Sequence, residues 1–200
     1  MIGRLVAVLA RLIAGGYVNW RQPPSTTPCV YFANHTSHLD FVLLWSYLPP
    51  ELRRRTRPVA ARDYWERGPL RRYLSTRIFR AVLIDRSGPE ARAAVDRMAE
   101  GLAAGDSLIL FPEGTRGSGD GIAPFKAGLY HLCAAHPELE LVPVSMENLN
   151  RVLPKGEFIP VPMVSRVMFG EALSLRDGEP KEAFLARARE ALETLRGEAS

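Results

Sequence analysis

Two hundred residues are enough for one domain with a sizeable core and too few for two ordinary ones. An apolar content of 46% excludes disorder, and the lack of any charge-free run of about twenty apolar residues argues against a membrane-spanning helix. The net charge of +4 is modest, so no function follows from charge alone, but its distribution along the chain is uneven.

In the first segment Ile2, Leu5, Val6, Leu9, Leu12 and Ile13 follow helical spacing, Arg4 and Arg11 lie on a common face, and Gly15-Gly16 ends the pattern. Arg11 interrupts the apolar stretch that a secretory signal requires. The segment fits a core helix, an interfacial helix or a short re-entrant anchor. The interfacial reading is preferred, with Tyr17 and Trp20 at the level of lipid headgroups. Residues 1–22 are therefore expected to be an amphipathic helix and linker, ahead of a domain over 23–200.

After Pro23-Pro24, Cys29 to Ala33 reads as a short buried strand, and a helical pattern from about Leu39 to Leu48 stops at Pro49-Pro50. Next come Arg53, Arg54, Arg55, Arg57, Arg62, Arg67, Arg71, Arg72, Arg77 and Arg80, opposed only by Asp63 and Glu66. With Tyr64, Trp65 and Tyr73 interleaved, this stretch suits nucleic acid, anionic lipid or a plain solvated face. No nucleic-acid-binding motif accompanies it. Val59 to Ala61 and Ala81 to Ile84 are strand candidates, and Pro89 opens a helix closed by Gly105.

Ser107 to Phe111 is an apolar strand, followed by a Gly-rich loop from Pro112 to Pro124. A helix over roughly Lys126 to Ala135, strands over Glu140 to Met146 and Val164 to Phe169, and a helix over Lys181 to Arg196 complete the chain. This alternation predicts an α/β fold, a single layered domain with a largely parallel sheet flanked by helices. Cys29 and Cys133 match neither a disulfide framework nor a metal-ligand spacing, which points to a reducing, cytosolic setting.

In parallel α/β sheets ligands gather at the carboxyl ends of strands, and two chemically loaded loops sit there. The first is Asn34-His35-Thr36-Ser37-His38-Leu39-Asp40. His35 lies at a strand end and Asp40 in the first turn of a helix, so the carboxylate can reach back, fix the imidazole tautomer and leave the other nitrogen as a base. Ser37-x-x-Asp40 also satisfies a helix capping box, and the loop alone fits both readings equally. His35 and His38 lack a third ligand at metal-binding spacing, so no metal is expected.

The second loop is Phe111-Pro112-Glu113-Gly114-Thr115-Arg116, trailed by Gly117, Gly119 and Gly121. Glycines let backbone N–H groups approach an anion, and Arg116 can grip phosphate oxygens in a bidentate fork. No Gly-Lys-Ser/Thr closes it, so it is not a nucleotide-binding P-loop. Gly105-Asp106-Ser107-Leu108 imitates the nucleophile motif of lipase-like hydrolases, but Ser107 begins a strand where such a serine should follow one.

Taken together, the two loops resemble the lysophosphatidate (1-acylglycerol-3-phosphate) acyltransferase family of the glycerolipid acyltransferases. Asn34, His35, Ser37 and Asp40 match its first motif, Phe111 to Arg116 its third, with Phe125, Lys126 and Gly128 as the sequel, and Val142 to Val144 its fourth. Its second motif is met only in part: Ile84 and Arg86 fit, but Arg80 stands for a glycine and Leu83 for a phenylalanine. The resemblance implies that His35 is the general base on the acceptor hydroxyl, oriented by Asp40, with no covalent acyl-enzyme. It implies that Glu113, Gly114, Thr115 and Arg116, with Arg86, bind the acceptor's phosphate. It further implies an acyl thioester co-substrate, acyl-coenzyme A or acyl carrier protein, with no other cofactor. The expected partners are a lysophospholipid and an anionic membrane surface, met peripherally at its cytoplasmic face. A catalytically silent lipid-binding homologue, or an enzyme for glycerol-3-phosphate or a lyso-aminolipid, is the alternative.

Overall fold

The structure is a computed structural model that describes residues 2–37, 40–85, 90–117, 121–147 and 165–198. In chain order the described elements are α1 (Ile2–Ala14), β1 (Gly16–Trp20), β2 (Cys29–Ala33), α2 (Asp40–Tyr47), α3 (Pro50–Arg54), β3 (Thr56–Ala61), α4 (Arg62–Trp65) and α5 (Pro69–Tyr73). A π-helical turn over Leu74–Ile78 leads to β4 (Val82–Ile84), α6 (Glu90–Ala103), β5 (Ser107–Leu110), α7 (Gly128–Ala135), β6 (Glu140–Glu147), β7 (Ser165–Phe169) and α8 (Lys181–Gly197). Among the described residues the strands form one sheet in the order β1-β7-β6-β2-β5-β3-β4. Neighbours run parallel except β6 and β7.

The central strand β2 shows why the sheet is covered on both faces. Cys29, Tyr31 and Ala33 pack with α1 and α2, whereas Val30 and Phe32 pack with α6, α7 and α8. All five residues are buried, so the strand is a continuous apolar run rather than an alternating one. Strand β5 divides in the same way, Ile109 to the first layer and Leu108 to the second. Burying a side chain such as Phe184 of α8 contributes about 1.5–3 kcal/mol to this second layer. The two cysteines lie free and buried, one in each layer, so the sheet separates them. Burial pushes the Cys133 thiol up to about 12, which keeps it protonated and inert.

Helix α1 turns its small residues inward. Ala7 and Ala14 are buried, and a Cβ on Gly3 would stand 3.4 Å from the Trp45 ring of α2. Ile2, Leu5, Val8, Leu9 and Leu12 are exposed, Leu12 at 70%. The apolar spacing legible in the sequence is thus, Val6 apart, the outward face, and the Gly/Ala stripe with Val6 is what packs.

Residues 16–20 differ from the expected linker. They form β1, which pairs with β7 in parallel, and Trp20 stacks on Phe169 with ring centroids 3.6 Å apart. Trp20 is therefore held by the sheet, while Tyr17 stays exposed and accepts hydrogen bonds from Arg166. Gly16 is required by the approach of the two strands, because a Cβ there would meet the Ser165 carbonyl oxygen at 2.0 Å.

The arginine-rich stretch is not one uniform basic surface. Arg55 donates to the Gly105 carbonyl, Arg57 and Arg80 converge on Asp106, and Arg62 bridges Asp85 and Glu66. Arg80 has a φ of 50°, the left-handed conformation that glycine adopts most readily. That geometry gives a physical reason for the glycine which the resemblance places here. For a non-glycine residue the conformation costs about 1–2 kcal/mol, offset by the Arg80 bonds to Asp106 and to the Arg54 carbonyl.

Candidate active site

The site begins where β2 ends. Asn34 is buried, and its side-chain amide donates to the Met146 carbonyl and accepts from the Met146 N–H, both at 2.8 Å. This pair clamps the outgoing chain to β6, so His35 leaves the sheet at a set position. Asp40, fully buried, opens α2 beside it. Its Oδ2 accepts from the Thr36 N–H at 2.6 Å, from the Ser37 N–H at 2.9 Å, and from His35 Nδ1 at 2.8 Å. The Ser37 bond is the returning bond of a capping box, and the imidazole bond is the geometry that an orienting carboxylate would have. One carboxylate oxygen thus takes both the backbone bonds and the imidazole bond.

With Nδ1 held by the Asp40 carboxylate, Nε2 is the ring nitrogen outside that bond. The imidazole also lies on the Phe111 ring, with centroids 4.2 Å apart and planes inclined by 22°. Together Asp40 and Phe111 hold the ring against rotation. His35 then lines a cavity of about 210 Å³ with Gly114, Thr115 and Arg116, closed by Pro58 to Ala61 of β3 and by Tyr64 and Trp65 of α4. Arg116 is half-buried there and has no carboxylate partner among the described residues.

Glu113 takes a different place from the rest of its motif. It is 3% exposed, its Oε1 accepts the His35 N–H at 2.8 Å, and its Oε2 accepts the Ala123 N–H at 2.9 Å. A carboxylate committed in this way braces the His35 backbone. The Gly117 N–H returns a bond to the His35 carbonyl at 2.8 Å, completing the stitch between the two loops. Gly114 has a φ of 73°, and a Cβ there would press on Lys126 Cγ at 3.3 Å, so both backbone and space call for glycine. Arg86, assigned to the phosphate by the resemblance, lies outside the described residues.

Several contributors escaped sequence reading. Phe111 was visible only as part of a motif, yet it is the platform for the imidazole. Beyond it lies a second cavity of about 690 Å³, lined by Ile84, Val95, Met98, Leu110, Phe111 and Leu129, with Lys126 and His131 among its polar groups. It shares Ile84, Leu110, Phe111 and Gly114 with the His35 cavity. Ser107, the imitation nucleophile, sits at the start of β5 and accepts the Cys29 N–H at 3.1 Å, far along the strand from His35. It is structural.

Fold and site thus define an α/β domain that presents a histidine–carboxylate pair and a cation-bearing loop at adjacent strand ends. The chain belongs to the acyltransferase family, whose model matches residues 17–147. Among curated proteins it is 30% identical over 159 residues to the mouse 1-acyl-sn-glycerol-3-phosphate acyltransferase alpha, covering 77% of this chain and 53% of that one. It is 37% identical over 148 residues to the 1-acyl-sn-glycerol-3-phosphate acyltransferase of Limnanthes alba, covering 70% and 48% respectively. The chain therefore spans about half the length of these relatives. Its fold is similar to the crystal structure of the 1-acyl-sn-glycerophosphate (LPA) acyltransferase PlsC from Thermotoga maritima. The TM-score is 0.76 at 18% identity, over 100% of this chain and 80% of that one.

Proposed function

We propose that the chain transfers a fatty acyl group from an acyl thioester, acyl-coenzyme A or acyl carrier protein, to the free hydroxyl of 1-acylglycerol-3-phosphate, giving phosphatidic acid. The observation that carries this reading is the 2.8 Å bond from His35 Nδ1 to Asp40 Oδ2 beside a cavity lined by Arg116. In the reaction His35 Nε2 takes the acceptor's hydroxyl proton as its oxygen attacks the thioester carbonyl, forming the C–O bond. Collapse of the tetrahedral intermediate breaks the C–S bond, and the imidazolium returns its proton to the departing sulfur. Asp40 stabilises that imidazolium, and general-base help of this kind is worth about 10²–10⁴ in rate.

Thr115 and Arg116 are suited to the acceptor's phosphate, with Arg86 joining them on the strength of the resemblance. A charge-assisted hydrogen bond from Arg116 contributes about 1.5–3 kcal/mol. The apolar second cavity is suited to an acyl chain, and its shared wall at Phe111 would bring chain and acceptor together at His35. No cofactor beyond the thioester enters this scheme. The proposed setting is the cytoplasmic face of a membrane, met peripherally through the exposed apolar face of α1. Among the described residues no helix is long and apolar enough to cross a membrane.

The test is product formation from labelled acyl-coenzyme A and lysophosphatidate by the protein and by its His35→Ala variant. A loss of at least about a hundredfold in the variant supports the mechanism. Equal turnover would overturn it, and no turnover by either protein, with lipid still bound, would favour the silent homologue.

A further inference from the structure

A second concentration of unbalanced charge lies away from His35. A cavity of about 470 Å³ opens between the first turn of α1, helix α3 and the end of the π-helical turn, and Arg4, Arg53, Arg54 and Arg80 line it. Arg80 is paired with Asp106, which it shares with Arg57. The other three face one weak counter-charge, Glu51, which stands 3.9 Å from Arg54. Arg4 has no carboxylate partner among the described residues. Arg11 adds a further cation, since it and Arg53 both donate to the single carbonyl oxygen of Ser46. Burial, then the cations Arg11, Arg4 and Arg54, push the Arg53 guanidinium below its ordinary range, against Glu51 alone. Like charges gathered around a cavity at this density call for an anion.

The surroundings say which kind. At 100° per residue, Arg4 and Arg11 fall on the flanks of α1, between its buried Gly/Ala stripe and its exposed face of Ile2, Leu5, Leu9 and Leu12. A cation at that boundary meets a headgroup when the apolar face enters the acyl region of a bilayer. A soluble phosphate compound would leave the apolar face without a partner.

We propose that this cleft is a headgroup site for an anionic phospholipid of the bilayer, separate from the acceptor site at Arg116. The inference rests on the reading of α1 as an interfacial helix. The lipid's phosphate sits among Arg4, Arg53 and Arg54, and its chains run beside α1. The cleft and the His35 cavity share no lining residue, but an aromatic wall joins them. Phe79 makes edge contacts with Trp45 on the cleft side and with Phe41 and Trp65 on the catalytic side. One bound lipid would therefore orient the catalytic cavity relative to the leaflet.

The test is co-sedimentation of the full chain with phosphatidylcholine vesicles, with and without 30 mol% or so of phosphatidylglycerol. The double variant Arg4→Gln/Arg54→Gln is compared with Arg71→Gln/Arg72→Gln, which removes equal charge on α5. Arg4 and Arg54 are exposed and Arg53 is left in place, since it holds Ser46. General attraction is worth about fivefold in partitioning per arginine, so about twenty- to thirtyfold for either pair. The proposal expects the cleft variant to lose at least tenfold more binding than the control. Equal losses, or equal binding of the wild type to neutral vesicles, would overturn it. So would displacement of the protein from vesicles by millimolar sn-glycerol 3-phosphate, which would make the cleft a soluble-phosphate site. The His35→Ala variant should bind vesicles like the wild type, so a failure of the catalytic reading leaves this measurement intact.

Discussion

Glu113 distinguishes a carboxylate that braces the site from one that touches substrate. In Glu113→Gln the single remaining oxygen can keep one of the two backbone bonds, at 2.8 Å to His35 or 2.9 Å to Ala123. The new amide NH₂ must then face the other N–H, donor against donor. The loss is one charge-assisted bond, worth about 1.5–3 kcal/mol, plus a buried N–H left without a partner, about 1–3 kcal/mol. At 3% exposure little water can compensate. A total of about 2.5–6 kcal/mol is therefore expected, a large share of the 5–15 kcal/mol that typically holds a domain together. Urea denaturation reads the stability, and steady-state kinetics on the folded fraction reads the site. The brace predicts a lower midpoint and a lower kcat, because the His35 backbone shifts, with KM for the acceptor changing less. Unchanged stability together with a raised acceptor KM would refute the brace and return Glu113 to the phosphate.

Asp40→Asn probes charge with little change of shape. All three donors converge on Oδ2, while the buried Oδ1 has no hydrogen-bond partner among the described residues. An asparagine can thus offer its oxygen to the donors, and the expected result is a near-native fold with kcat lower by about 10²–10⁴, measured with acyl-coenzyme A; wild-type turnover would remove Asp40 from the mechanism. Gly114→Ala forces a Cβ onto a left-handed residue and against Lys126, which should cost about 1–2 kcal/mol and lower Tm by about 2–8 °C in a thermal melt; an unchanged Tm would show that the loop relaxes freely. Glu179, whose carboxylate takes a fork from Arg187 at 2.8 and 2.6 Å, is held down at about 2 chiefly by that pair. A depressed carboxylate adds stability above its unfolded range near pH 4–5 and loses it as pH falls towards about 2. Glu179→Gln should therefore be about 1–2 kcal/mol less stable than wild type at pH 7, with the gap closing between about pH 5 and 2; a gap independent of pH would contradict the pairing.

Local patterns carried most of the central sheet. Cys29 to Ala33 is a strand over the span its apolar run suggested, and β5, β6, α6 and α8 fall within a residue or two of their expected limits. Each is set by short-range information: an apolar run, a proline opening a helix, a glycine in a left-handed turn at Gly105. The stretch from Arg62 to Ile78 was harder, because α4 and α5 are too short to show a helical period and are held by packing of Trp65 and Phe79.

At the site the sequence by itself determined which residues could meet: a histidine and an aspartate five apart across a strand end, and an arginine-bearing glycine loop on another. It also carried the family resemblance. Only the tertiary structure decided what each one touches there. One Asp40 oxygen takes the Thr36, Ser37 and His35 bonds, Phe111 lies under the imidazole, and Glu113 bonds the backbone of a residue 78 positions away. The strand β1 belongs to the same class, since its partner β7 lies about 149 residues further on and a Tyr-Val-Asn-Trp run announces no pairing of its own. Strand pairing and buried hydrogen bonds depend on which distant backbone groups arrive alongside, and that is fixed by the packing of the whole sheet rather than by any window of residues.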